Sequence, residues 1–247
     1  MPLNIGQPNG REVRLTNLRK QFWPELAITK GALIQYYAVV APVLLPHIRD
    51  RAMVMRRYPN GAAGASFFMK EAPTPRPSWI RICAIDHGDG KVVNFPVIDD
   101  RPTLLWLVNL GCIDLNQWYA RCDDVHRPDF LHFDLDPGDG ATFEQACECS
   151  LIVRDALTTL GMKPYVKTTG SRGLHVYVGL KRGPTQDVVH TFAKALATEL
   201  TSRNPRLMTV GYRVAARPKG RVVVDYKQNA WGQTLASIYS VRPKPRA

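Results

Sequence analysis

Apolar positions change their period along this chain. Leu33, Tyr37, Val40 and Leu44 recur at helical spacing behind Thr29, a residue suited to cap a helix, so a helix is expected from Thr29 to about Pro46. Short apolar or alternating runs then predict strands at 53–57, 66–70, 79–85 and 91–98. The stretch 102–110 is apolar almost all round, which predicts a short interior helix. Further on the pattern reads as strand 130–136, helix 142–160 closed by Gly161, strands 165–168 and 174–180, helix 186–202, and strands 222–226 and 235–240. Helices alternate with single strands and with strand pairs. That order predicts a mixed α/β (α+β) protein with two packed mixed sheets flanked by helices, rather than a doubly wound parallel sheet. A polar stretch at 123–129, carrying a proline, suggests submodules 1–125 and 126–247 within one domain.

Composition narrows the class. With 247 residues, 45% hydrophobic and 22% charged, the chain can bury a sizeable core, which excludes a disordered chain and a disulfide-stapled miniprotein. No apolar run is read as approaching the roughly 20 residues of a membrane helix, and residues 1–11 are polar, so a cytoplasmic protein without a membrane segment is expected. Cys83, Cys112, Cys122, Cys147 and Cys149 form an odd set without paired C-x-x-C spacing, and are expected to be reduced core residues.

The net charge of +12 is unevenly spread. Residues 11–70 hold ten basic and three acidic side chains, residues 71–160 seven and fifteen, and residues 203–247 ten and one, the single acid being Asp225. Two basic ends around an acidic middle suggest a polyanion-binding surface that encloses carboxylates, with plain solubility charge as the alternative.

Three motifs carry the chemistry. In Leu131-His132-Phe133-Asp134-Leu135-Asp136-Pro137-Gly138, a strand projects Asp134 and Asp136 to one face, and Pro137-Gly138 leaves them at an exposed rim. Paired carboxylates there suit Mg²⁺ or Mn²⁺, although a solvated acidic strand end has the same pattern. His132 shares their face, either tuning the site or serving as a hydrogen-bonded structural residue. In Thr169-Gly170-Ser171-Arg172-Gly173-Leu174-His175, two glycines bracket a turn whose backbone N–H groups could approach phosphate oxygens, with Ser171, Arg172 and His175 adding side-chain contacts. An ordinary hairpin turn is the competing account. In Val222-Val223-Val224-Asp225-Tyr226-Lys227-Gln228-Asn229, the lone acid of a basic tail makes sense as a third metal ligand or as an arginine's ion-pair partner.

The order of D-x-D, G-S-R-G-L-H and V-D-Y-x-Q-N resembles the archaeo-eukaryotic primase superfamily, and most closely the polymerase domain of bacterial ligase D, from non-homologous end joining. Supporting stretches include Arg57-Tyr58-Pro59-Asn60-Gly61, Phe67-Phe68-Met69-Lys70 and Tyr239-Ser240-Val241-Arg242-Pro243, and the likeness runs from about residue 11 to 243. It implies a primase-like catalytic core and a template-directed nucleotidyltransferase that extends 3′ ends at gaps and breaks, favouring ribonucleotides and using two Mn²⁺ or Mg²⁺ ions. It further implies Asp134, Asp136 and Asp225 as metal ligands, with Thr169, Ser171, Arg172, His175, Gln228 and Arg242 on the nucleoside triphosphate. Lys20 and Lys30 are implied at the downstream 5′-phosphate of DNA, and Arg56, Phe67 and Phe68 along the template. Ku, a DNA ligase and a DNA-dependent end-synapsis dimer are the implied partners. Arg172 stands where relatives often have Lys, and Asn116 near a position where they often have His. No ligase or nuclease module fits in this length, so a stand-alone homologue or an excised domain is expected. The rivals are an inactive end-bridging module and a metal-dependent nuclease, which share the basic surface or the carboxylates but do not need the whole set.

Overall fold

Thr29 accepts a hydrogen bond from the Ala32 amide and starts α1 (Lys30–Ile48), as the capping pattern predicts. Asp100 does the same for α2 (Arg101–Asn109) through the Thr103 amide, with a proline in the first turn. The structure, a computed structural model, describes residues 4–5, 11–88, 90–211 and 217–244. Most of the polar stretch 1–11, and Arg213 and Arg246 of the basic tail, lie outside them.

Contacts divide the chain into two compact units, residues 1–118 with 234–247, and residues 119–233. In the first, α1 and α2 pack on each other and bury Leu33, Tyr37, Leu44 and Ile48 with Leu104, Leu105, Leu107 and Val108. An antiparallel four-stranded sheet runs in the order Leu235–Ala236, Cys112–Gln117, Met53–Arg57, Phe67–Met69. Ile82–Asp86 and Val92–Pro96 form a separate antiparallel pair.

In the second unit a five-stranded sheet runs Pro164–Thr168, Leu174–Gly179, Phe130–Pro137, Val222–Asp225, Met208–Thr209, with only the last pair parallel. Leu131, Phe133 and Leu135 of its central strand share a core with Ala146, Cys149, Val153 and Leu157 of α3 (Phe143–Thr159) and Val189, Ala193, Ala197 and Leu200 of α4 (Gln186–Arg203). Thr142 and Gln145 close a reciprocal capping box at the start of α3. Both helices therefore cover one face of the sheet, and the alternate residues His132, Asp134 and Asp136 project from the other. Burying Phe133 or Leu135 contributes roughly 1.5–3 kcal/mol each. A one-residue slip of the central strand would put its carboxylates under the helices, so hydrophobic burial fixes the register that presents the acids.

Four expectations are corrected. By length and composition α1 suffices to cross a membrane, contrary to the reading that no run comes near that length. Its glycine, glutamine and two prolines conceal a continuous helix, whose core face packs on α2. The predicted strand 235–240 stops at Ala236, because Tyr239 takes a positive φ of 60° and the Ser237 and Ser240 hydroxyls bond the backbone of Leu115 instead. The submodule boundary read at the polar stretch 123–129 falls instead after Trp118 and again after Gln233, and Asp124–Pro128 pairs with Ala120–Arg121 inside the second unit. Of the five cysteines, Cys83, Cys112 and Cys149 are buried, while Cys122 and Cys147 are partly exposed.

Candidate active site

Asp134 lies opposite His175 on one neighbouring strand and opposite Asp225 on the other, so three titratable groups line up across the middle of the sheet. Cross-strand partners on one face have Cβ atoms about 4.5–5.5 Å apart, close enough for their charges to interact strongly. The His175 Nε2 is 3.4 Å from Asp134 Oδ1, and its Nδ1 is 3.2 Å from the Tyr177 hydroxyl. Asp225 accepts from the Lys227 amide at 2.8 Å and from Gln228 Nε2 at 3.3 Å. Behind it Asn229, fully buried, bonds both the N–H and the C=O of His132, anchoring the turn after Asp225 to the central strand. Asp225, Tyr226, Lys227 and Gln228, with His190 and Lys194, line a cavity of about 390 Å³.

Asp136 is two residues along the same face, with an Arg172 nitrogen 3.9 Å from its carboxylate. Burial and then the Asp134 charge push the Asp136 carboxyl above its ordinary range, against the pull of Arg172 and Arg217, and Asp225 adds to the rise. A carboxyl raised by burial beside neighbouring carboxylates is the donor chemistry of a hard divalent cation. Among the described residues no three such groups converge on one point, so the fit to a metal rests on the chemistry of the donors alone.

The turn after the Pro164–Thr168 strand differs from the expected phosphate cradle. The Ser171 and Gly173 amides both donate to the Thr169 hydroxyl, at 3.1 and 3.2 Å, so Thr169 shapes the turn and its own N–H bonds the Gly173 carbonyl. Gly170 supplies a positive φ of 69°. A Cβ on Gly173 would come within 2.1 Å of the Leu135 carbonyl oxygen, so only glycine lets the turn lie against the central strand. Arg172 and Ser171 point outward and remain available for an anion, whereas His175 is almost wholly buried against Asp134. His132 is fully buried, stacked on Tyr119 with ring centroids 3.9 Å apart, and pulled down to about 3 by burial and the nearby His175, so it is neutral at pH 7.

The remaining predicted residues lie in the first unit. Lys20 donates to the Pro59 carbonyl at 2.7 Å, and Lys30 to the Thr16 carbonyl at 2.8 Å. Burial and the Lys20 charge lower the Lys30 amine to about 8. Phe67 and Phe68 are 46% and 62% exposed, each under an arginine: Arg57 lies 5.4 Å from the Phe67 ring and Arg56 5.3 Å from that of Phe68. Arg242 is partly buried, its Nε 3.7 Å from Asp114.

Residues 29–247 match the LigD primase-polymerase domain family. The chain belongs to this family. It is 34% identical over 239 residues to the multifunctional non-homologous end joining protein LigD of Mycolicibacterium smegmatis, covering 96% of this chain and 31% of that protein. Against the bifunctional non-homologous end joining protein LigD of Bacillus subtilis it is 29% identical over 237 residues, covering 96% and 38%. The chain thus spans about a third of the length of these LigD relatives. A solved structure of the polymerase domain of Mycobacterium tuberculosis ligase D, in complex with DNA, superposes with a TM-score of 0.88 at 31% identity, covering 94% of this chain and 83% of that one. Membership of the LigD primase-polymerase domain family makes the chain a nucleotidyltransferase and confirms the mixed α/β architecture read from the sequence.

Within this LigD-type domain, the structure brings Asp134, Asp136, Asp225, Arg172, His175 and Gln228 together on one sheet face and the loops around it. Asp114 was missed. It lies in the Cys112–Gln117 strand, whose polar residues are all buried, so no alternation betrays the strand in the sequence.

Proposed function

We propose that this domain adds nucleotides to the 3′ end of a primer at gaps and double-strand breaks, directed by the template strand. The observation that carries the reading is the register of Asp134 against Asp225, in a chain of the LigD primase-polymerase family. Asp134, Asp136 and Asp225 would hold two divalent ions, Mn²⁺ or Mg²⁺, which supply activation of the primer hydroxyl and neutralisation of the triphosphate. Around them the chain's own residues do the rest. Arg172 meets triphosphate oxygens with a charged fork, Ser171 adds a hydroxyl, and Arg242 contributes a further guanidinium. His175, held between Asp134 and Tyr177, orients the first carboxylate. Gln228 and the Lys227 amide orient Asp225.

Lys20 and Lys30 receive the terminal 5′-phosphate of the downstream strand, and Arg56, Phe67 and Phe68 receive the template. Exposed aromatic rings beneath guanidinium groups suit base stacking beside a phosphate backbone. The DNA in the M. tuberculosis polymerase-domain complex supports a nucleic-acid ligand for this chain. A preference for ribonucleotides, action beside Ku and a ligase in the bacterial cytoplasm, and pairing of two copies across a break are proposed from the family likeness.

Extension of a gapped duplex tests the reading. Incorporation opposite the template base is expected with ribonucleotides ahead of deoxynucleotides, and only with a divalent metal. Degradation of the primer instead would show a nuclease, and binding without either reaction would show an end-bridging module.

A further inference from the structure

Among the described residues, the most deeply buried carboxylate of the first unit is absent from the roles above. Asp114 is 2% exposed, yet two cations approach it from separate segments: Arg56 Nη1 at 3.9 Å from the neighbouring strand, and Arg242 Nε at 3.7 Å from the C-terminal segment. Both distances are ion-pair distances beyond hydrogen-bond range, so charge rather than a directed fork holds the pair. Its Oδ1 has no hydrogen-bond partner among the described residues. Arg56 in turn lies over the rings of Tyr58 and Phe68, at 5.4 and 5.3 Å, and donates to Ser66. Arg56 is the register partner of Asp114 on one side and of Phe68 on the other, so the three occupy one face of the sheet.

A carboxylate buried in this way carries a desolvation penalty that an apolar residue of similar size would not. Burial raises its carboxyl to about 6, with Arg242, Arg56 and Lys244 pulling the other way. What a buried, paired charge can supply instead is a fixed position for its partners. We propose that Asp114 is a positioning residue that holds the Arg242 and Arg56 guanidinium groups side by side, setting the first for the triphosphate and the second for the template strand. The proposal rests on the roles given to Arg242 and Arg56 under the proposed function.

The test is a double-mutant cycle on the whole chain, read by nucleotide KM, kcat, gapped-duplex affinity and melting temperature. Asp114→Asn keeps the shape and removes the charge. It is expected to raise nucleotide KM about tenfold and to weaken duplex binding severalfold, with kcat nearly unchanged. In an Arg242→Ala background the same change should add less than about twofold to KM, because the arginine it positions is gone. Asp114→Glu, which keeps the charge and provides a second variant should the amide not fold, is expected to stay within about threefold of wild type in KM. Full additivity with Arg242→Ala, an unchanged KM in Asp114→Asn, or equal impairment of the Glu and Asn variants would overturn the proposal and leave a plain structural ion pair. If Arg242→Ala alone leaves nucleotide KM unchanged, the nucleotide role of Arg242 fails, and the positioning role fails with it.

Discussion

The acidic face of the second unit and the cationic surface of the first reach their charge in opposite ways. The acids sit on adjacent strands of one sheet, two of them in a single strand, and the register that presents them is fixed by the apolar residues between them. The cations come from the segments around Lys20, Lys30, Arg56 and Arg242, and each is held by a backbone carbonyl, a ring or a buried carboxylate. A metal site needs carboxylates fixed at short range, which a sheet supplies at no extra cost. A nucleic-acid surface needs charge spread over a long ligand, and distant segments of chain can supply it.

That contrast orders the expected effects. Asp134→Ala and Asp225→Ala should lower nucleotide addition by about a thousandfold or more, the several kcal/mol that metal-held charge contributes, while gapped-duplex binding stays near wild type. Near-normal extension by either variant would remove the sheet face from the chemistry. Gly173→Ala should lower both activity and stability, because its Cβ meets the Leu135 carbonyl oxygen; about 1–3 kcal/mol of overpacking is expected as a reduced denaturation midpoint. An unchanged midpoint would show that the turn has room to move away from the central strand.

Arg172→Ala should cost roughly ten- to a hundredfold in kcat/KM, the removal of a charge-assisted hydrogen bond of about 1.5–3 kcal/mol. The cationic side gives smaller effects. Lys20→Ala with Lys30→Ala should abolish any preference for a 5′-phosphorylated gap and make the log–log salt slope shallower by about 0.9 for each phosphate that is no longer neutralised. Lys30 adds a pH signature. Its amine, lowered to about 8, is charged below that pH and neutral above it, whereas a terminal phosphate is doubly ionised above about 6. The phosphate preference should therefore be greatest between about 6 and 8 and fade as pH rises further, and Lys30→Arg should keep it at high pH. A preference that persists unchanged at about pH 9.5 in the wild type would show that Lys30 is not the group that reads the phosphate.

The sequence made the acidic side easier to read than the cationic side. Strand 130–136 was legible because Leu131, Phe133 and Leu135 alternate with the polar residues, and the observed strand runs Phe130–Pro137. Asp225 was legible as the only acid in a basic tail, although its hold by Gln228 and the Lys227 amide was not. The turn at 169–173 was misread in one respect. Two glycines suggested open amides, but a threonine hydroxyl can fill such a turn from within, and nothing in the residue order shows which way Thr169 points. On the cationic side nothing in the residue order shows that Lys30, the first helical residue, is buried with its amine on the Thr16 carbonyl, fourteen residues earlier. Asp114 was hidden because its partners are 58 and 128 residues away in sequence, and long-range ion pairs leave no periodic trace.

The most direct test is single-turnover incorporation of one nucleotide into a 5′-phosphorylated gapped duplex, by wild type and Asp134→Asn in parallel, with Mn²⁺, with Mg²⁺ and with chelator. The account predicts templated addition by the wild type with either metal, none with chelator, and none by the variant while both proteins bind the duplex equally. Addition by Asp134→Asn at the wild-type rate, or by the wild type in chelator, would contradict it.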